Sequence, residues 1–158
     1  MPVWRCSVRK NMPSPADSAT WGLEWTEELS VGIPEIDAEH QHFIQLVNEL
    51  NDCIASRMSI SEVNRCMQAV LDDAVAHFAH EETLLTEWGY PDAAEHAKRD
   101  AQLISALREI MKNLTARRTE YEWVEAALQI KKILIDNLLN EDMKYRDYCL
   151  RRLSSSER

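Results

Sequence analysis

The chain has 158 residues, about right for one domain, and 45% of them are hydrophobic, so it can bury a core. Three glycines and five prolines are too few to turn a many-stranded β fold, which leaves helices. The 27 acidic residues outnumber the 18 basic ones, for a net charge of -9, and the basic residues are scattered rather than gathered into the patch that phosphate neutralisation needs, so no nucleic-acid partner is expected.

Residues 1–34 read as a non-helical arm, punctuated by Pro2, Pro13, Pro15, Gly22, Gly32 and Pro34, with Trp21, Leu23 and Trp25 available to pin it down. The first residues lack the apolar stretch of a signal peptide, and Met12 is an alternative start that would leave residues 1–11 untranslated. No run of about 18 apolar residues occurs, so no membrane partner is expected. Cys6, Cys53, Cys66 and Cys149 make no CxxC pair and no compact framework. They read as free, largely buried thiols of a cytoplasmic protein, with disulfides of a secreted one as the alternative.

Beyond Pro34 the pattern changes to four amphipathic segments. The first is expected from about Asp37, as N-cap, to Ser56, with Ile36, His40, Phe43, Ile44, Val47, Leu50 and Ile54 on one stripe. Ser59-Ile60-Ser61-Glu62 is a capping box opening the second. Its stripe is Val63, Met67, Val70, Ala74, His77, Phe78, Glu81 and Leu85, and Gly89-Tyr90-Pro91 stops it. Asp92-Ala93-Ala94-Glu95 has the form of another cap, and His96, Asp100, Leu103, Leu107, Ile110 and Leu114 follow at spacings of three and four. Thr119-Glu120-Tyr121-Glu122 caps the fourth, which runs through Leu128, Ile135, Leu138 and Asp142 towards Tyr145. Residues 151–158 form a polar tail. Connections this short predict an all-α fold, an antiparallel up-down-up-down four-helix bundle over residues 35–150.

The anomaly lies inside those stripes. An ionisable group buried without a partner costs several kcal/mol (roughly 2–7 even for a neutral polar group), so carboxylates on apolar faces need a reason. His40, His77, Glu81, His96, Asp100 and Asp142 occupy core-facing positions on all four segments. His77 and Glu81 share a face at four-residue spacing, as do His96 and Asp100. Imidazole and carboxylate together suit iron, manganese or zinc, and a bundle interior is a place to build such a site.

In order, these residues match a family. Ile36-Asp37-Ala38-Glu39-His40 resembles the DxxH motif that opens the first helix of hemerythrins. His77-Phe78-Ala79-His80-Glu81-Glu82 is similar to that family's HFxxEE, and Gly89-Tyr90-Pro91 followed by His96 to its YP turn and HxxxH. Asn137-Leu138-Leu139-Asn140-Glu141-Asp142 resembles its HIxxxD. The likeness covers about residues 21–148. It implies a non-haem iron pair, with His40 and His77 on one ion and Glu81 and Asp142 bridging. The second ion would take histidines at positions 96, 100 and 137, where this chain has His96, Asp100 and Asn137. Asp100 remains a competent hard ligand with a shorter reach, whereas Asn137 offers a neutral amide oxygen better suited to supporting a ligand than to being one.

The function so implied is binding or sensing of dioxygen or a related small diatomic molecule. The third carboxylate, Asp100, should favour oxidised metal and make a poorer oxygen carrier. One alternative is an enzyme: a di-metal oxidase, peroxidase or nitric-oxide-detoxifying protein. Another is a bundle holding one ion or none and serving as an interaction domain, and one ion, manganese or zinc are alternatives to two irons. His42 and His80 fall outside the set and read as exposed or supporting, with His80 the nearer substitute nitrogen. Trp88, Tyr90, Phe43 and Phe78 read as core and turn anchors rather than parts of a gas channel. Oligomeric state is open.

Overall fold

A computed structural model of the chain describes residues 22–116 and 119–156. Expectations placed on Cys6, Met12, Trp21 and the rest of the early arm lie outside those residues. Four helices account for the bundle: α1 (Pro34–Ala55), α2 (Ile60–Glu87), α3 (Ala93–Thr115) and α4 (Glu120–Asn137). A π-helical turn at Leu138–Asp142 then leads without a break into α5 (Met143–Ser156). No strand occurs among the described residues. Each of the first four helices packs on its neighbours in sequence, and α1 closes the ring on α4, the expected antiparallel bundle. No described helix is long and apolar enough to cross a membrane.

Local chemistry sets the helix ends. Ser59 and Thr119 each complete a capping box, accepting from the backbone of Glu62 and Glu122 while those carboxylates accept from the cap backbones. α2 ends in a Schellman motif: Gly89 has φ +68°, its N–H reaches the Thr86 carbonyl at 3.1 Å, and the Tyr90 N–H reaches that of Leu85 at 2.9 Å. Two caps differ from expectation. α1 begins at Pro34, whose fixed φ and missing N–H suit a first helical position. Asp37, already inside the first turn, instead reaches back to the arm, accepting from the Ser30 hydroxyl at 2.6 Å and the Val31 N–H at 2.8 Å. Asp92 makes no side-chain cap for α3.

The arm is tied to α1 at a second point, where Leu23 and the Asn48 side chain exchange hydrogen bonds of 2.7 and 2.8 Å. Beside the first tie, Gly32 has φ +76°, a conformation that suits glycine, and a Cβ would meet the end of the Leu150 side chain at 2.7 Å.

Apolar packing divides into layers along the bundle axis. The larger layer joins Val47, Leu50, Met67, Val70, Leu107, Leu114, Trp123, Ile130 and Leu134. A smaller one at the other end joins Val31, Ile33, Ile36, Leu84, Leu85, Tyr145 and Cys149. On α1 and α3 the polar residues singled out from the sequence fall between the two, on α2 His77 and Glu81 flank Phe78 at the edge of the larger one, and Leu29, Ile44 and Leu138 form a third, small apolar group. In the fourth helix the buried register is Trp123, Ala126, Ala127, Ile130 and Leu134 rather than one through Leu128, which is 44% exposed.

Candidate metal centre

His40 from α1, His77 and Glu81 from α2, His96 and Asp100 from α3, and Asn137 and Asp142 from either end of the π turn are all buried. The π turn explains the last pair. Five residues along an α-helix turn a side chain well off its starting face, whereas the wider π turn returns it. Asn137 and Asp142 therefore face the same interior, and the Asn137 amide donates to Asp142 Oδ1 at 3.2 Å.

The donor atoms form two groups sharing Glu81. In the first, His40, His77, Glu81 and Asp142 each offer an atom within 4.8 Å of the others. His40 Nε2 lies 3.2 Å from His77 Nε2 and 3.3 Å from Asp142 Oδ2, and His77 Nε2 lies 3.6 Å from Glu81 Oε2. Glu81, His96 and Asp100 form the second group. His96 Nε2 is 3.4 Å from Asp142 Oδ1, so the two oxygens of Asp142 face one group each. Donor atoms about 3–3.6 Å apart are what metal bonds of about 2.0–2.2 Å subtend.

Much of this polar surface is unpartnered among the described residues. Glu81 Oε2, both ring nitrogens of His96, both oxygens of Asp100 and His40 Nδ1 are buried without a hydrogen bond. Asp100 Oδ2 and His96 Nδ1 lie 3.0 Å apart but out of line for one. Each such atom costs roughly 1–3 kcal/mol unless something satisfies it. A cation fits that role: it would meet anionic oxygens and imidazole nitrogens together, and the donor set suits iron, manganese or zinc.

Surrounding residues hold the donors in place. The Tyr145 hydroxyl, wholly buried, donates a hydrogen bond to Glu81 Oε1, and its ring packs edge-on against His96 at 5.3 Å. Glu39 takes His77 Nδ1 at 2.7 Å on one oxygen and His80 Nδ1 at 2.6 Å on the other. Burial works to raise the Glu39 carboxyl, but the two histidines hold it below its ordinary range. An ionised Glu39 accepts the Nδ1 proton of His77 and leaves Nε2 presenting a lone pair to the centre.

Burial, then the nearby Asp142, pushes the Glu81 carboxyl up to about 8. Burial also raises Asp100. Burial opposes charge on His96, but Asp100 and Asp142 overcome it and raise the imidazole to about 10. Asp142 is held low against its burial by His40 and His96. Tyr145 is driven well above its ordinary value by burial and then by the two acids. A cluster this dense with opposed charges is a functional-site candidate on physical grounds.

A cavity of about 30 Å³ adjoins the first group, walled by His40, His77 and Asp142 on one side and by Leu23, Phe43, Phe78 and Leu134 on the other. Phe43 and Phe78, expected only as core anchors, thus also face open space. Trp88 and Tyr90 pack against the smaller core layer. His42 turns outward to Asp73 at 2.9 Å. His80 is taken up by Glu39 and does not face the second group. Sequence reasoning missed Glu39, for which the acid preceding His40 was the available signal; Tyr145, one turn beyond Asp142, was a candidate for a hydrogen bond near the site, and its partner is Glu81.

Residues 31–149 match the family model of the hemerythrin HHE cation binding domain. Among curated proteins, the bacteriohemerythrin of Stenotrophomonas maltophilia is 29% identical over 125 residues, covering 79% of this chain and 80% of its own. That of Pseudomonas aeruginosa is 28% identical over 127 residues, with the same coverage of 79% and 80%. A hemerythrin-like protein of Naegleria gruberi is 25% identical over 124 residues, covering 78% of this chain and 91% of its own.

Proposed function

The chain belongs to the hemerythrin family, and from that premise we propose that it is a cytoplasmic protein that holds non-haem iron between its helices and binds dioxygen or a related diatomic molecule beside it. His40, His77, Glu81 and Asp142 would hold the first ion. A second, weaker ion would be held by His96 together with Glu81 and Asp142. The observation that carries this reading is the set of unpartnered buried donors, Glu81 Oε2 and His96 Nε2 among them, converging from separate helices.

Reduced iron in such a donor set supplies the electrons by which dioxygen is held. The protein's own part is positioning and exclusion. Glu39 fixes the His77 tautomer, Tyr145 holds Glu81 Oε1, and Asn137 holds Asp142 Oδ1. The apolar walls of the cavity, Phe43, Phe78, Leu134 and Leu23, offer a small guest no hydrogen bonds and keep bulk water from the first position. Asn137, engaged with Asp142, supports a ligand instead of being one. Asp100 lies on the Nδ1 side of His96, away from the nitrogen that faces Asp142, and adds negative charge beside the ring.

That charge favours the oxidised ions, so the ferrous form should bind dioxygen but decay within a few cycles. The test is optical: iron-loaded, reduced protein exposed to dioxygen should gain a visible charge-transfer band that reverses on degassing and is missing from His77→Ala. Absence of any oxygen-dependent band would overturn the oxygen-binding reading. Slow, repeatable cycling would contradict the argument from Asp100.

The buried third carboxylate, Asp100, favours one further reading, an oxidase, peroxidase or nitric-oxide-detoxifying enzyme. Peroxide consumption or nitric oxide reduction at a rate that falls in Asp100→Asn would select it.

A further inference from the structure

Far from the metal centre, α1 and α2 bring two thiols together. Cys53 lies 13 residues beyond His40 on α1 and Cys66 lies 11 residues before His77 on α2, so about 16–20 Å of helix separates the pair from the candidate ligands. Their Sγ atoms are 2.8 Å apart. A disulfide bond is about 2.05 Å long, so closing the remaining gap takes a movement of less than about 1 Å. Both residues sit in helices near the α1–α2 hairpin, and Cys53 is the more exposed of the two.

We propose that Cys53 and Cys66 are a redox modification site: a reversible disulfide that staples α1 to α2 on exchange with a low-molecular-weight disulfide. The half-buried Cys53, as thiolate, attacks one sulfur of the small disulfide, forming a mixed disulfide and expelling one small thiolate. The Cys66 thiolate then attacks Cys53 Sγ, forming the Cys53–Cys66 bond and releasing the second small thiolate. The two thiol protons leave on the two small thiols, and the protein loses two electrons to the reagent. Burial and the proximity of Cys66 raise the Cys53 thiol to about 11, so little thiolate is present at neutral pH and exchange is slow. The pair therefore responds to a sustained oxidising shift rather than a brief one. It depends on no reading of the metal site.

The experiment incubates the full chain with glutathione disulfide, blocks remaining thiols by alkylation and maps the peptides by mass. The expected product is an intramolecular Cys53–Cys66 link, reversed by dithiothreitol, absent from Cys53→Ser and Cys66→Ser and retained in Cys6→Ser. Because the link closes a short loop of about 14 residues, the oxidised protein should melt about 6–12 °C higher than the reduced one. A stable glutathione adduct on Cys53, a link to Cys6 or between chains, or four thiols still open to alkylation would each overturn the proposal.

Discussion

His77 divides its two ring nitrogens between separate tasks, Nδ1 bonded to Glu39 and Nε2 turned inward to His40 and Glu81. If Nε2 is a ligand, Glu39 tunes it, and Glu39→Ala should weaken metal affinity about 10- to 100-fold while leaving the helices intact. Competition against a chelator of known affinity measures this, and an unchanged affinity would remove Glu39 from the account. The ligand candidates were legible because an acid or imidazole on an apolar stripe is costly without a partner. Glu39 was not, since it sits beside His40 at the edge of the stripe, where an acid is ordinary. Tyr145 shows the same limit: its burial could be read from spacing, but its bond to Glu81 bridges 64 positions of sequence.

At the level of elements, local motifs were read well and ambiguous ones were not. Ser59 and Thr119 cap as expected because a capping box closes within four residues. Ser59→Ala should lower stability by about 1 kcal/mol in a urea melt. The hydroxyl and backbone of Ser59 hold the Glu62 carboxyl below its ordinary range. A lowered carboxyl contributes stability above its unfolded value and loses it as pH falls through the folded one, so the Ser59→Ala penalty should shrink in acid. Asp37 was misplaced because Pro34 starts the helix earlier and frees the carboxylate to bond the arm. The π turn was invisible to a 3.6-residue pattern.

For the whole molecule, the bundle was legible from four capped amphipathic stretches joined by short connections, whereas the layering was not. The buried acids and imidazoles lie between the larger and the smaller apolar group, and a bound cation would join the four helices there. Chelation should therefore lower the melting temperature, by an amount that grows with the free metal supplied beforehand. Asp100→His combined with Asn137→His should strengthen the second position and raise metal content; unchanged content would mean that the surrounding pocket, and not the missing nitrogens, limits it. The central claim is that buried acids and imidazoles from separate helices converge on metal. Counting iron, manganese and zinc per chain in purified protein supplied with each, beside an Asp142→Ala variant, tests it most directly. The account predicts at least one tightly held ion, a second of lower affinity, and loss of both in the variant. Native protein that stays metal-free under saturating supply would contradict it.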